Sequence, residues 1–215
     1  MSFALTGGDY VNYLVLAAAE IEKNGDYVTA LDAKTGDGDH WVNLNMGFQK
    51  LVSLQEELRG LPLSDLFKKI GMTLMSAIGG SSGVLYGGSY LAAAKAMKET
   101  DTLDAQGLLT LLDTQLQAIM DRGKAQPGWK TMIDSLYEGV NAYRSALEGG
   151  ADDKTALEAL KQGSHQGMEH TREMEAVKGR ASYQTNKGVG DLDPGAVTMD
   201  IQLQCLADYI LNQKL

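Results

Sequence analysis

Cysteine, long apolar runs and basic residues are all scarce in this chain of 215 residues. Cys205 is the only cysteine, so a disulfide within one chain is excluded and a reducing compartment is expected. No apolar run approaches the ~18 residues that a membrane-spanning helix needs, and the first residues lack the basic and apolar regions of a signal peptide. We therefore expect a cytoplasmic protein with no membrane association.

The deficit of basic residues excludes a further class of partner. The chain has 19 Lys and Arg against 28 Asp and Glu, which gives a formal net charge of -9. A protein that binds nucleic acid needs a basic stripe to neutralise phosphates, and this sequence has none. Any anionic ligand must therefore be bound locally or through a metal ion.

Helical periodicity dominates the sequence that is present. Apolar residues recur every three to four positions in eight segments, which glycine, proline and capping residues open or end. The predicted helices cover residues 9–24, 42–59, 62–78, 83–99, 104–122, 131–148, 152–175 and 195–212. Alternating strand patterns are weak by comparison. We predict an all-α fold in one domain over residues 1–215, with eight helices in an antiparallel up-and-down bundle.

Three carboxylates lie close together in the sequence around two glycines. Asp32, Asp37 and Asp39 precede an apolar helical segment. Carboxylates this close repel one another unless a cation lies between them, and oxygen ligands on a loop suit Mg²⁺ or Ca²⁺. Taken alone, the same pattern also fits a solvated acidic turn before a helix, where Asp is favoured as a cap. Both interpretations stay open at this point.

Four glycine-bearing segments stand apart from the helical background, and they follow predicted helices one, three, five and seven. In an up-and-down bundle, connections that follow helices of one direction lie at the same end. Carboxylates, glycine-rich backbone and helix N-termini would then meet there, which suits a metal-bridged polyphosphate such as a nucleotide. The segments are 36–40, 79–83, 122–132, and 178–183 together with 193–196.

These segments carry a family resemblance. The motifs are GDGDHWVNLNMGF at 36–48, GGSSGVLYGG at 79–88, RGKAQPGWKTMID at 122–134 and KGRASYQTNKGVGDLDPGA at 178–196. In this order they resemble the nucleotide-binding L subunit of dihydroxyacetone kinase, the DhaL family. The resemblance implies an eight-helix antiparallel barrel that binds ADP or ATP and two Mg²⁺ ions at one end.

The resemblance also implies a role for particular residues, and Arg180 and His40 are the expected catalytic residues beside the phosphates. The implied metal ligands are Asp32, Asp37 and Asp39. The implied nucleotide contacts are His40, Asn43, Ser81, Ser82 and Arg180 near the phosphates or ribose, Gly123, Thr131 and Met132 at the adenine, and Asp193, Pro194 and Gly195 in a closing loop.

A phosphoryl relay is the activity that the resemblance implies. Bound ADP would receive a phosphoryl group from a phosphohistidine M-type protein of the phosphotransferase system and pass it to dihydroxyacetone on a separate K subunit. The length leaves no room for a substrate domain, which favours this relay over a fused kinase that uses free ATP. Two alternatives stay open: a nucleotide subunit of an ATP-dependent kinase for another ketose or a fatty acid, and a nucleotide-loaded regulatory module. A homodimer also stays open.

Two tryptophans depart from the family pattern. Trp41 stands where the family has glycine, and Trp129 stands where it has aspartate. Because large aromatic side chains anchor interfaces, we hypothesise that they extend the nucleotide pocket or contact a partner. His165 and His170 lie outside the motifs, and an exposed helix face is expected for both.

Overall fold

The computed structural model describes residues 2–215 and is helical nearly throughout. Its ten α-helices are separated by loops and by one 3-10 helix at Arg180–Tyr183. The all-α prediction is confirmed. The helices are α1 Gly7–Lys23, α2 Gly25–Thr35, α3 His40–Ser53, α4 Gln55–Arg59, α5 Leu63–Ala77, α6 Gly80–Ala96, α7 Ala105–Gly123, α8 Met132–Glu148, α9 Asp153–His170 and α10 Pro194–Gln213.

Two of these helices correct the predicted count of eight. The first helix ends at Lys23 with Asn24 as its C-cap, as predicted, but the residues that follow, for which no helix was predicted, form α2. Gly25 is required at this turn, because a Cβ would lie 2.7 Å from the ring of Trp41. The predicted helix over 42–59 is broken at Leu54, where the backbone leaves helical geometry between α3 and α4.

The larger helices close into a ring around one core. Each packs on the next in the order α1, α3, α5, α6, α7, α8, α9 and α10, and α10 returns to α1. Phe48 and Phe67 are fully buried in this core. Full burial of such a side chain contributes about 1.5–3 kcal/mol relative to exposure. The barrel predicted from the family resemblance is therefore present.

Tyrosines fill the middle of the barrel. Tyr10, Tyr13, Tyr86 and Tyr90 line a cavity of ≈ 30 Å³ among apolar neighbours. Tyr10 and Tyr90 share a hydrogen bond of 3.0 Å between their hydroxyl oxygens. Burial raises the pKa of all four, so these phenols stay neutral and serve as packing groups.

The first helix is tied to the last through a single carboxylate. Asp9, in the capping box of α1, accepts hydrogen bonds from the Tyr209 hydroxyl at 2.9 Å and from Lys214 Nζ at 3.1 Å. Burial opposes ionisation there, but these bonds and those from Thr6 prevail and lower the pKa of Asp9 to about 2. The carboxylate therefore helps to close the ring.

One end of the barrel gathers the connections that follow α2, α5, α7 and α9. The predicted meeting of four loops is confirmed, because all four contribute residues to one cavity at that end. The first of these loops follows α2, since that helix is inserted after α1. None of the helices in residues 2–215 combines the length and apolarity that crossing a membrane requires.

Candidate functional site

The acidic triplet lies at the junction of α2 and α3. Asp32 is in the last turn of α2 and is 8% exposed, whereas Asp37 and Asp39 are exposed in the loop before α3. One carboxylate oxygen from each residue lies within 4.8 Å of the other two. Oδ2 of Asp32 accepts a hydrogen bond from the backbone N–H of His40 at 3.0 Å, which orients the carboxylate.

The local backbone makes room for a cation at this triplet. A Cβ at Gly36 would lie 2.5 Å from Oδ1 of Asp32, so only glycine leaves that oxygen free to turn toward a ligand. Hard carboxylate oxygens are the ligands that Mg²⁺ and Ca²⁺ prefer. Oδ2 of Asp37 also forms an ion pair with the guanidinium group of Arg180 at 2.6 Å, so the loop already attracts positive charge. The residues present fit a divalent metal.

A cavity of ≈ 530 Å³ opens beside the triplet. Residues from all four connecting segments line it, together with parts of α6, α7 and α8. Ten of the residues predicted from the motifs are among them. These ten are Asp32, His40, Ser81, Ser82, Gly123, Thr131, Met132, Asp193, Pro194 and Gly195.

Four helices begin at this cavity. His40 starts α3, Ser81 lies in the first turn of α6, Met132 starts α8 and Pro194 starts α10. A helix N-terminus carries a partial positive charge and presents backbone N–H groups that have no partner within the helix. Four such termini around one space make a site for an anion such as a phosphate chain.

Two of the four helix starts are occupied by their own caps. The side chain of Thr131 accepts from Ile133 N–H at 3.1 Å in α8, and that of Asp193 accepts from Ala196 N–H at 2.7 Å in α10. Within residues 2–215, no side-chain oxygen caps α3 or α6 in this way. The first turn of α6, with Ser81 in it, is thus the start most open to an anionic ligand.

Burial shifts the pKa of two titratable side chains in the cavity. Burial raises the pKa of Asp193 to about 7, although the N–H of Ala196 and the charge of Lys130 oppose the shift. Burial also lowers the pKa of His40, against the attraction of Asp32 and Asp39. His40 Nε2 lies 2.9 Å from Oγ1 of Thr198, which holds the neutral ring against α10.

The opposite wall of the cavity is apolar. Leu85 of α6, Ile119 of α7 and Met132 and Ile133 of α8 line it. Met132 is 7% exposed and Ile133 is 2% exposed, so the wall continues directly into the core. A flat aromatic ring gains free energy when such a surface leaves water. The cavity therefore has one charged half and one apolar half.

Some predicted residues lie outside the cavity lining. Asn43 lies one turn into α3, where its Oδ1 would be 2.8 Å from a Cβ at Gly79. Arg180 is at the rim, exposed and paired with Asp37. The structure thus brings Arg180 to the acidic loop and Asn43 to the glycine segment before α6.

Sequence reasoning missed three cations that line the cavity, Arg122, Lys130 and Lys178. Arg122 is exposed and crosses α6 at Gly88, where a Cβ would lie 2.2 Å from its Nε. Lys130 is 2% exposed. All three belong to the quoted motifs, so the motifs were the available signal, but nothing in the spacing shows that Lys130 is buried.

Neither tryptophan lines the cavity. Trp41 packs on Gly25 and donates from Nε1 to the Ile21 carbonyl oxygen at 2.9 Å, so it joins α3 to α1 and α2. Trp129 lies beneath Lys178 Nζ, which is 5.9 Å from the centre of its ring. The hypothesis that Trp41 extends the pocket is therefore wrong.

The two histidines outside the motifs are exposed, as predicted. His165 Nδ1 pairs with Asp200 at 3.2 Å, and His170 Nδ1 pairs with Glu138 at 2.8 Å. Neither histidine belongs to the cavity lining.

A closed helical barrel with an acidic triplet and four helix N-termini at one end defines a class of proteins built to hold a phosphate-bearing ligand. A family model described as the DAK2 domain matches residues 34–208. The chain belongs to this DAK2 family, and the resemblance drawn from the motifs is confirmed.

Two curated relatives match this chain over most of their own length. The ADP-binding subunit DhaL of the PEP-dependent dihydroxyacetone kinase of Escherichia coli (strain K12) is 34% identical over 204 residues, which cover 95% of this chain and 97% of that protein. A DhaL of Listeria innocua is 39% identical over 176 residues, or 82% of this chain and 83% of that protein.

A solved structure shares the fold. The dihydroxyacetone kinase of C. freundii, in complex with AMP-PNP and Mg²⁺, matches 92% of this chain with a TM-score of 0.71 and 28% identity. This chain spans about a third of that kinase, since the match covers 33% of its length.

Proposed function

We propose that this chain is the ADP-binding, phosphoryl-relaying subunit of a multi-subunit dihydroxyacetone kinase. The observation that carries the proposal is the acidic triplet, whose oxygens lie within 4.8 Å of one another beside a cavity ringed by helix N-termini. The carboxylates suit the metal ions of a metal nucleotide, the helix N-termini suit its phosphates, and the apolar wall suits its base. Residues 1–215 would serve as one nucleotide-binding domain.

Asp32, Asp37 and Asp39 would hold two Mg²⁺ ions. When bound, these ions supply positive charge that offsets the phosphates and the three carboxylates. Oδ1 of Asp32 is kept free by Gly36, and its Oδ2 is fixed by the His40 N–H. The chain thus presents one buried, hydrogen-bonded carboxylate and two exposed ones.

The remaining predicted residues would hold the nucleotide. The first turn of α6, with Ser81 and Ser82, would donate N–H and hydroxyl groups to phosphate or ribose. Gly123, Thr131 and Met132 would contact the adenine on the apolar side. Asp193, Pro194 and Gly195 would cover the nucleotide from the start of α10. These placements agree with the residues that line the cavity.

His40 and Arg180 would face the transferring phosphoryl group, with Asn43 nearby. Phosphoryl transfer depends on positioning and charge neutralisation rather than on a protein nucleophile. Arg180 is exposed at the rim and already engages one carboxylate of the triplet, so it is close to where a terminal phosphate would lie. Neutral His40 would donate or accept a hydrogen bond at the phosphates.

Two partners complete the relay. Bound ADP would be phosphorylated by a phosphohistidine M-type protein, and the resulting ATP would phosphorylate dihydroxyacetone on a K subunit. The support is that relatives matched over most of their length are named as ADP-binding subunits of PEP- or PTS-dependent dihydroxyacetone kinases.

A reconstitution with labelled phosphoenolpyruvate tests this proposal. The chain is loaded with Mg·ADP and mixed with the phosphotransferase proteins, an M-type protein and a K subunit carrying dihydroxyacetone. We expect label to appear first in bound ATP and then in dihydroxyacetone phosphate, and omission of this chain should abolish transfer. Transfer from free ATP, with none from the phosphohistidine protein, would overturn the relay in favour of an ATP-dependent kinase.

A further inference from the structure

Lys130 is an unusual residue in the cavity wall. Its side chain is buried, with 2% exposure, and its backbone has a φ of 60°, in the left-handed region. A left-handed conformation costs a residue with a Cβ about 1 kcal/mol or more. A lysine that is both buried and strained persists only where its surroundings impose that position.

The surroundings are a turn fixed by one carboxylate. Asp134 accepts hydrogen bonds from the N–H of Gly128 at 2.5 Å and from the N–H of Thr131 at 2.7 Å. These bonds hold the residues on both sides of Lys130, and Gly128 has a φ of 88°. The turn therefore directs the Lys130 side chain inward, beneath the loop that passes over it at Gly188.

The ammonium group of Lys130 joins three separate parts of the wall. Its Nζ donates to the carbonyl oxygen of Thr171, after α9, and to that of Asp191, each at 2.5 Å. Oγ1 of Thr171 accepts from the N–H of Asp193 at 3.0 Å. The loop at 128–131, the end of α9 and the segment at 191–193 are thus held together by Lys130 and Thr171.

These hydrogen bonds hold the start of α10 in place. Asp193, Pro194 and Gly195 line the cavity and come shortly after Asp191, whose carbonyl oxygen accepts from Lys130. The charge of Lys130 also offsets that of the Asp193 carboxylate, which burial would otherwise disfavour. Loss of the ammonium would leave the buried Thr171 carbonyl, the partly buried Asp191 carbonyl and the Asp193 carboxylate without their cation.

We propose that Lys130 is a positioning residue for the nucleotide, which fixes residues 191–195 against the start of α8 so that the cavity is formed before the ligand arrives. This inference rests on the proposed function, since it takes Mg·ADP as the ligand. It assigns Lys130 no contact with the metal triplet.

The test compares two lysines that both have a positive φ. Lys124 also has a positive φ, of 48°, in the same loop, but its side chain is exposed. Lys130→Gly and Lys124→Gly each remove a side chain while relieving left-handed strain, so neither change forces the backbone to move. Mg·ADP affinity is measured by calorimetry, and Mn²⁺ alone is titrated by electron paramagnetic resonance.

We expect Lys130→Gly to weaken Mg·ADP binding by about tenfold or more, because misplaced walls lose contact with the ligand. Mn²⁺ alone should bind as in the wild type. Butylammonium ion should restore part of the nucleotide affinity by replacing the missing amine, whereas tetramethylammonium, which has no N–H donor, should not. Lys124→Gly should match the wild type in every measurement.

Thr171→Val provides a second variant should Lys130→Gly fail to fold. It removes the acceptor of the Asp193 N–H with little change in shape, and it should weaken Mg·ADP but not Mn²⁺. If whichever of these variants folds binds Mg·ADP with wild-type affinity, the inference is overturned. It is also overturned if the affinities for Mn²⁺ and for the nucleotide fall equally and butylammonium restores neither. A wild-type chain that ignores Mg·ADP overturns the proposed function itself.

Discussion

Gly36→Ala tests the metal site without removing any ligand. The backbone φ of Gly36 is -144°, so an alanine at this position does not have to adopt a left-handed conformation. Its direct effect is the new Cβ, which would lie 2.5 Å from Oδ1 of Asp32. Real Cβ contacts lie at 3.0 Å or more, so the carboxylate must move.

The size of that movement sets the expected effect. Reaching 3.0–3.4 Å requires the Asp32 oxygen to shift by about 0.5–0.9 Å. Metal sites tolerate deviations of about 0.2 Å in their ligand distances. The shift is several times this tolerance, and displacement of one carboxylate of three should weaken divalent binding by about 10- to 100-fold.

Calorimetric titration with Mn²⁺ in the presence of ADP measures this loss. Gly60→Ala is the matched control, because a Cβ at Gly60 meets nothing within 4 Å and its φ is -85°. We expect the control to bind as the wild type does. Equal affinity in Gly36→Ala and the wild type would refute the assignment of Asp32 as a metal ligand.

Three further predictions concern stability and catalysis. The hydrogen bonds to Asp9 outweigh its burial and lower its pKa from 3.8 to about 2. The ionised Asp9 should therefore add about 2 kcal/mol to the free energy of unfolding above pH ~4, and this contribution should be lost as the pH falls through 2. Urea titrations should show this loss in the wild type relative to Asp9→Asn, and parallel pH profiles would contradict it. Trp41→Phe removes the hydrogen bond to Ile21 and should cost about 1 kcal/mol of unfolding free energy in urea, while calorimetry finds Mg·ADP affinity unchanged. Reduced affinity would show that Trp41 contributes to nucleotide binding. Arg180→Gln breaks an exposed pair with Asp37, so its melting temperature should barely change, while single-turnover phosphoryl transfer should slow about a thousandfold. Transfer at the wild-type rate would show that Arg180 has no role in catalysis.

Much of the barrel was predictable because its helices carry strong amphipathic periodicity. Two features were not predicted. Asn24 ends α1 as predicted, but α2 was missed, because two of its five buried residues, Asp32 and Thr35, are polar and its apolar pattern is weak. Leu54 interrupts a continuous apolar pattern through backbone geometry alone. The periodicity of apolar residues reveals neither feature.

The cavity was predictable as a meeting of loops but not as a complete set of side chains. Topology places the four connections at one end, and the motifs name most of the lining. Lys130 is buried in a left-handed turn, whereas Arg122 stays exposed and lies across the space that Gly88 leaves. The burial of Lys130 does not follow from residue type, since most lysines are exposed.

Native mass spectrometry of the purified chain shows directly whether it holds a metal nucleotide. We expect a complex of one chain with one ADP and two Mg²⁺ ions, which EDTA dissociates and which added Mg·ADP restores. Asp39→Asn should show reduced metal content under the same conditions. A chain that has the apo mass and keeps it in the presence of added Mg·ADP would refute the proposed nucleotide site.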